Sequence, residues 1–102
     1  MSTLVTAISD QLAKLATQGS AAQIRDFLYA EKIKGIRGSA RFCPVACYLR
    51  REVSETEVSV SRTYTMCWET PFCVESVPTP SVVRDFTLLF DTGAYPELET
   101  LA

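Results

Sequence analysis

The fold class is decided by the stretch EVSVSRTYTMCW, residues 57–68. Larger side chains at the even positions alternate with smaller, mostly polar ones at the odd positions. This period of two is typical of a β-strand with one buried face. Glu69-Thr70-Pro71 then predicts a turn, and Phe72 to Val77 predict a returning strand. The sequence therefore predicts a two-stranded antiparallel hairpin in this part of the chain.

Helical spacing replaces this alternation on the N-terminal side. Apolar residues from Leu4 to Ala16 recur every three or four positions, which predicts an amphipathic helix from Thr3 to about Thr17 that Gly19 ends. Ser20 with Gln23 is a capping-box pattern and opens a second helix. We expect this helix to continue towards Ile33 and to end at Gly35, in the left-handed conformation that suits glycine.

Two further helices complete the pattern. Pro44 fits the first turn of a third helix, with Cys43 at its N-cap. Thr79-Pro80 predicts an N-cap and N1 pair for a last helix that runs to Gly93, and Tyr95 to Ala102 predict a short docked tail. The predicted fold is α+β in the order α-α-α-β-β-α. Because a lone hairpin is unstable, its face must be covered by these helices or by a second chain.

The composition narrows the function classes. The chain has 102 residues, 47% hydrophobic and 22% charged, which fits one domain over residues 1–102. No apolar run approaches the roughly 18 residues that span a bilayer, and no secretory signal is evident, so we expect a cytoplasmic protein without a membrane partner. The chain has no histidine, the commonest general base and metal ligand. We therefore expect no enzymatic activity, no catalytic residue and no cofactor.

The net charge of −2 conceals a segregation along the chain. Residues 32–51 carry six cations and no acid, whereas residues 52–102 carry a net charge of −7. Two interpretations stay open: the acidic half folds over the basic block and neutralises it, or the block is a surface for an anionic partner. The candidate partner-binding residues are the six cations Lys32, Lys34, Arg37, Arg41, Arg50 and Arg51.

Nucleic acid is an alternative partner for this basic block. Gly35-Ile36-Arg37-Gly38 between two helices is similar to the GxxG loop of the type I KH domain, which implies contact with a nucleic-acid backbone. The chain departs from that family, because a leading strand is absent and Pro44 delays the following helix. A sequence pI near 5.0 also differs from the strongly basic balance of many nucleic-acid-binding domains.

The four cysteines allow several interpretations. Cys43 and Cys47 lie four apart, and Cys67 and Cys73 lie six apart, so neither pair has the Cys-x2-Cys spacing of structural zinc sites. We expect reduced, mostly buried thiols, with an all-cysteine zinc module or a disulfide as alternatives. Cys43 at a helix N-terminus beside Arg41 predicts a lowered thiol pKa, and the same helix start is a candidate pocket for a small anion.

Two segments of the chain are similar to a group of small uncharacterised proteins of actinobacteria and their phages. The first is Phe42-Cys43-Pro44-Val45-Ala46-Cys47-Tyr48-Leu49-Arg50, and the second runs from Val83-Arg84-Asp85-Phe86 to Phe90-Asp91-Thr92-Gly93-Ala94-Tyr95-Pro96-Glu97-Leu98. The resemblance spans about residues 30–98. It implies a bacterial or phage origin but brings no activity, and of the four cysteines only Cys43 belongs to the shared pattern.

These observations together predict a small binding or regulatory protein. We expect it to dock on a macromolecular partner, most readily a protein, through the basic loop and helix of residues 32–51. A nucleic-acid-binding domain and a zinc module are the alternatives. The strand edge between Val58 and Trp68 could also pair with its copy in a homodimer.

Overall fold

The described residues form four α-helices and three β-strands. The structure is a computed structural model and describes residues 3–70 and 72–100. The predicted α+β class is confirmed, with one strand more than predicted. The elements are α1 (Thr3–Ala16), α2 (Ala21–Ala30), α3 (Pro44–Glu52), β1 (Glu57–Val60), β2 (Tyr64–Trp68), β3 (Glu75–Pro78), α4 (Ser81–Asp91) and a short 3-10 helix (Pro96–Leu98).

The sheet is antiparallel, with β2 in the middle of the order β1-β2-β3. The predicted single strand over residues 57–68 is wrong, because the chain turns back within it. The Ser61 hydroxyl donates to the Tyr64 carbonyl at 2.6 Å and accepts from the Tyr64 N–H at 3.1 Å, closing the turn. The returning strand predicted from Phe72 is β3, which begins at Glu75. Pro71 of the predicted turn lies outside the described residues.

This turn changes which side chains face the core. Val58 and Val60 of β1 are buried, whereas in β2 the buried residues are Thr65 and Cys67. The even-numbered residues of the stretch therefore lie on the inner face before the turn and on the outer face after it. As a result the larger β2 side chains, at positions 64, 66 and 68, lie on the face of the sheet away from the core.

Local signals at the helix ends are mostly confirmed. Gly19, at φ 102°, follows α1, and the Ser20 hydroxyl caps α2 by accepting from the Gln23 N–H at 3.2 Å. The predicted end of α2 at Gly35 is wrong. Lys32 takes the left-handed conformation at φ 59°, and the Ile33 N–H closes the helix end on the Leu28 carbonyl at 3.0 Å.

The start of α3 is as predicted, and the start of α4 is not. Cys43 is the N-cap of α3, and its sulfur accepts from the Ala46 N–H. For α4 the N-cap is Pro80, without a side-chain cap. The Thr79 hydroxyl bonds the Ser61 carbonyl and the Thr65 hydroxyl instead, each at 3.0 Å, and so ties the start of α4 to the sheet.

The core lies between the helices and the inner face of the sheet. α1 contacts β2 and β3, α3 contacts β1, and α2 packs on α4. The predicted tail docks through Leu98, which is fully buried, and through Tyr95, whose ring stacks on Phe86 at 5.4 Å. Burying a leucine side chain stabilises a fold by about 1.5–3 kcal/mol. Leu101 and Ala102 of that tail lie outside the described residues.

Each edge of the sheet has one position that offers no free N–H to another strand. At the β1 edge, the Val60 N–H is already bonded to the Ala40 carbonyl at 2.8 Å. At the β3 edge, Pro78 has no N–H to offer. β2 is paired on both sides, so the part of the proposed dimer edge that falls in β2 is not an edge. Among the residues described, no helix is long and apolar enough to cross a bilayer.

Candidate partner-binding surface

The six predicted cations are spread over three places in the fold. Two follow α2, two lie in the loop between α2 and α3, and two lie in the last turn of α3. Acidic residues cover part of the set, and most of these acids come from the acidic half of the chain. The covered cations are Arg37, paired with Glu99 at 3.6 Å, Arg41, paired with Glu57 at 3.4 Å, and Arg51, paired with Glu31 at 2.7 Å and Glu52 at 3.4 Å.

Arg37 belongs to a loop that is docked on the C-terminal end of α4. The Gly38 N–H donates to an Asp91 carboxylate oxygen at 3.0 Å. A Cβ placed on Gly93 would lie 2.6 Å from the Arg37 guanidinium, so this cation sits close to the C-terminal end of the helix, which attracts positive charge. The GxxG stretch is therefore held against α4 by its own bonds, unlike an open loop that clamps a nucleic-acid backbone.

Arg51 has a structural role at the junction of α2 and α3. Its guanidinium donates to the Glu31 carbonyl at 3.2 Å as well as to the Glu31 carboxylate. It also lies 5.6 Å from the Tyr48 ring centroid. The hydrogen bond that Arg51 donates to the Glu31 carboxylate raises the pKa of the Arg51 guanidinium. These contacts account for Arg51 without a partner molecule.

Lys32 and Lys34 line a shallow groove at the end of α2. The groove has a volume of about 430 Å³ and includes the exposed Tyr29 ring and Glu97. No ion pair between described residues involves either lysine. Glu97, which lines the same groove, is bonded to Arg25 at 2.6 Å.

Arg41 and Arg50 join two aromatic rings into one surface. The Arg50 guanidinium lies 4.9 Å from the Phe42 ring centroid and donates to the Arg41 carbonyl. The Arg41 guanidinium in turn lies 5.5 Å from the Trp68 ring centroid. Each contact is of the cation–π type, which contributes about 0.5–1 kcal/mol at an exposed site. Arg50 has no acidic partner among the residues that the structure describes.

The outer face of β2 extends this surface. Tyr64 and Met66 are 49% and 46% exposed, although both are large, and Trp68 is half-buried beneath Arg41. Ser59 and Ser76 flank Met66 on the neighbouring strands, so small side chains leave it open. We call the combined set the arginine–aromatic surface: Phe42, Arg50, Arg41, Trp68, Met66 and Tyr64.

Only Arg41 and Arg50 of this surface are among the six predicted residues. The sequence does not separate the three aromatic and methionine residues of β2 from the buried valines of β1, because all five stand at even positions. Its alternation therefore predicts one buried face for Val58, Val60, Tyr64, Met66 and Trp68. The signal that could separate them is Ser61, whose hydroxyl favours a turn. Phe42 carries no signal of its own, because its contact with Arg50 depends on how the loop meets α3.

The thiol at the start of α3 is not activated. Cys43 is 2% exposed, and burial raises its thiol pKa to about 11, although the hydrogen bond from Ala46 acts in the opposite direction. The predicted lowering by the helix N-terminus and Arg41 is therefore wrong. The candidate anion pocket at this helix start is also wrong, because Cys43 itself caps the free amide and Pro44 to Ala46 are buried.

The four cysteines do not converge. Cys43 and Cys67 are buried, Cys47 is half-buried and Cys73 is exposed, and all four are free thiols. Within residues 3–70 and 72–100, no three metal-ligating side chains are grouped so that they could hold an ion. The alternative of an all-cysteine zinc module therefore has no grouped set of ligands among the described residues.

Two glutamates near the C-terminus, Glu97 and Glu99, are paired with arginines. Arg25 donates to Glu97 at 2.6 Å and pairs with Asp26 at 2.5 Å. The hydrogen bond from Arg25 lowers the pKa of Glu97 below its ordinary range. Glu99 pairs with Arg37. These groups therefore do not form an acid and base pair positioned for proton transfer.

Comparisons with known proteins add no family. No protein-family model, curated protein or solved structure matches this chain.

Proposed function

We propose that this protein is a non-enzymatic binding protein that docks on a partner protein through the arginine–aromatic surface. In this proposal it acts as an accessory or regulatory protein of a bacterium or its phage, as the sequence resemblance implies. The observation that carries the proposal is the exposure of Tyr64 and Met66 on the central strand, next to Trp68 and two arginines.

The composition of this surface favours a protein partner. Tyrosine, tryptophan, methionine and arginine are the residues that protein interfaces concentrate at their centres. Arg41 and Arg50 present their guanidinium groups at the border of the apolar stripe, where Glu57 pairs with Arg41. A complementary partner would present an apolar patch bordered by carboxylates.

Nucleic acid is the competing partner, because bases stack on aromatic rings and arginines contact phosphates. Glu57 weighs against it, since this acid lies opposite Trp68 on the neighbouring strand and is bound to Arg41. Trp68 is the only tryptophan of the chain, so its fluorescence reports directly on this surface. Quenching by a single-stranded oligonucleotide, with an affinity that falls steeply as salt rises, would replace the proposal with nucleic-acid binding.

The decisive experiment places a photo-crosslinking residue at position 76, beside Met66, in cells of the source organism. A captured protein is then purified and its Kd measured with the unmodified chain. We expect Trp68→Ala to weaken binding by roughly thirtyfold, about 2 kcal/mol, as for residues at the centre of an interface. Arg50→Gln should weaken it less.

Tyr29→Ser is the matched control, since Tyr29 is an exposed aromatic residue outside the arginine–aromatic surface. Its Kd should equal that of the unmodified protein. Equal affinities for the Trp68→Ala and Tyr29→Ser variants would refute the proposed surface. Crosslinking only between copies of this chain, with a dimer in analytical ultracentrifugation, would assign the surface to self-association instead.

A further inference from the structure

A second, smaller site lies between the Gly38 loop, the turn between β1 and β2, and α4. It is a cavity of about 240 Å³, lined on one side by Ser39 and on the other by Ser61 and Arg62. Thr87 and Asp91, one turn apart on α4, form its floor. None of these residues belongs to the arginine–aromatic surface.

The first sign of a ligand site is Thr87, whose hydroxyl is unsatisfied and lies just behind the wall of the cavity. The residue is 6% exposed, and its hydroxyl has no hydrogen-bond partner among the described residues. Buried polar groups in native proteins are nearly always satisfied, so such a hydroxyl calls for an explanation. A single water takes about 30 Å³ of liquid volume, far less than this cavity provides.

The two charged residues of the cavity are the second sign. Arg62 and Asp91 line the same space but do not pair with each other, and Arg62 has no acidic partner within the described ranges. One Asp91 oxygen accepts from the Gly38 N–H at 3.0 Å, which fixes the carboxylate. Its other oxygen has no partner among the described residues and is available to a ligand.

We propose that this cavity binds a small zwitterion, a free α-amino acid. The Arg62 guanidinium would hold the ligand carboxylate, and the free oxygen of Asp91 would accept from its ammonium group. A rotation of the Thr87 side chain, which has two accessible rotamers in a helix, would bring its hydroxyl to the ligand. The cavity is smaller than the roughly 300–1,000 Å³ of pockets for drug-sized ligands, and its volume of about 240 Å³ has room for a single amino acid.

The test is a titration of the full chain followed by amide resonances in NMR. The probes are L-alanine, propionate, which lacks the ammonium, and ethylamine, which lacks the carboxylate. We expect L-alanine to shift the amides of Gly38, Ser39 and Arg62 in a saturable way. Each single-charge analogue loses one charged contact and should bind about tenfold more weakly or worse. Equal affinities for propionate and L-alanine would refute the proposal that the cavity binds a zwitterion.

Variants then assign the two ends of the ligand. Arg62→Gln and Asp91→Asn should each weaken L-alanine binding about tenfold, and Asn keeps an oxygen for the Gly38 N–H. Thr87→Val should also weaken it while the protein stays folded. Arg84→Gln is the control, because Arg84 is an exposed arginine that does not line the cavity. Absence of any saturable shift, or unchanged affinity in both charge variants, would show that the cavity holds water only.

Discussion

Gly35 and Pro44 are in backbone contact, so that a Cβ atom on Gly35 would overlap the Pro44 nitrogen. The same glycine bonds the C-terminal segment on both sides: its N–H donates to the Leu98 carbonyl at 2.8 Å, and its carbonyl accepts from the Thr100 N–H at 2.9 Å. Gly35 therefore joins the start of α3 to the end of the chain. Its function is close approach, and not the left-handed helix end that the sequence predicts.

Replacing Gly35 with alanine should destabilise the protein by about 2 kcal/mol or more, since the new methyl group meets backbone atoms that cannot move independently. Gly38→Ala is the matched control. Gly38 is at φ 78° with open space around it, so that variant should lose only about 1 kcal/mol from backbone strain. Urea unfolding measures both. A larger loss for Gly38→Ala would contradict the close approach at Gly35.

Lys32 gives the complementary prediction. Lys32 is in the left-handed region, where a non-glycine residue costs about 1–2 kcal/mol of stability, so glycine would relieve this strain. Against this gain, glycine makes the unfolded chain more flexible, which lowers the stability of the fold by about 0.4–1 kcal/mol. Lys32→Gly should therefore be neutral or stabilise the fold by up to about 1 kcal/mol. Lys34→Gly, without the left-handed conformation, should destabilise it. Thermal unfolding distinguishes the two, and equal losses would argue against strain at Lys32.

The success of the sequence prediction follows the range of the interactions concerned. The Ser20 cap and the Cys43-Pro44 helix start involve residues within four positions of one another, so the local sequence is enough to predict them. The sequence does not predict the reversal at Ser61, because larger and smaller side chains keep alternating through the turn. Likewise, Arg41 and Arg50 stand out as cations, but their stacking on Trp68 and Phe42 arises only when separate elements pack.

Two buried threonines should respond in opposite ways to removal of the hydroxyl. The Thr79 hydroxyl bonds the Ser61 carbonyl and the buried Thr65 hydroxyl, so Thr79→Val should cost about 1–3 kcal/mol. Thr87→Val removes a hydroxyl without a described partner and should leave the free energy of unfolding unchanged or raise it. Urea unfolding without added ligand provides the comparison. A loss at Thr87 equal to that at Thr79 would show that the Thr87 hydroxyl is bonded in solution.

Thiol reactivity should follow burial and pKa. Cys73 is exposed, whereas desolvation raises the pKa of Cys43, Cys47 and Cys67. With a chromogenic disulfide reagent at pH 8, we expect one fast thiol in the native protein, a slower one from half-buried Cys47, and all four after unfolding. Cys73→Ser should abolish the fast phase. A fast phase that survives this substitution would place a reactive thiolate elsewhere.

The Arg25–Glu97 pair predicts how stability depends on acid. Arg25 lowers the pKa of Glu97 in the folded protein below the ordinary glutamate value near 4.3. A carboxylate with a depressed folded pKa stabilises the fold above its unfolded pKa, and that contribution is lost as pH falls through the folded value. Glu97→Gln should therefore unfold at lower urea than the unmodified protein at pH 6, and the difference should shrink below about pH 4. Because both side chains are about one-third exposed, salt should reduce the difference as well.

Glu69→Gln, at an exposed glutamate without a described ion pair, should show no such dependence, and a constant difference across this pH range would refute the role of Arg25.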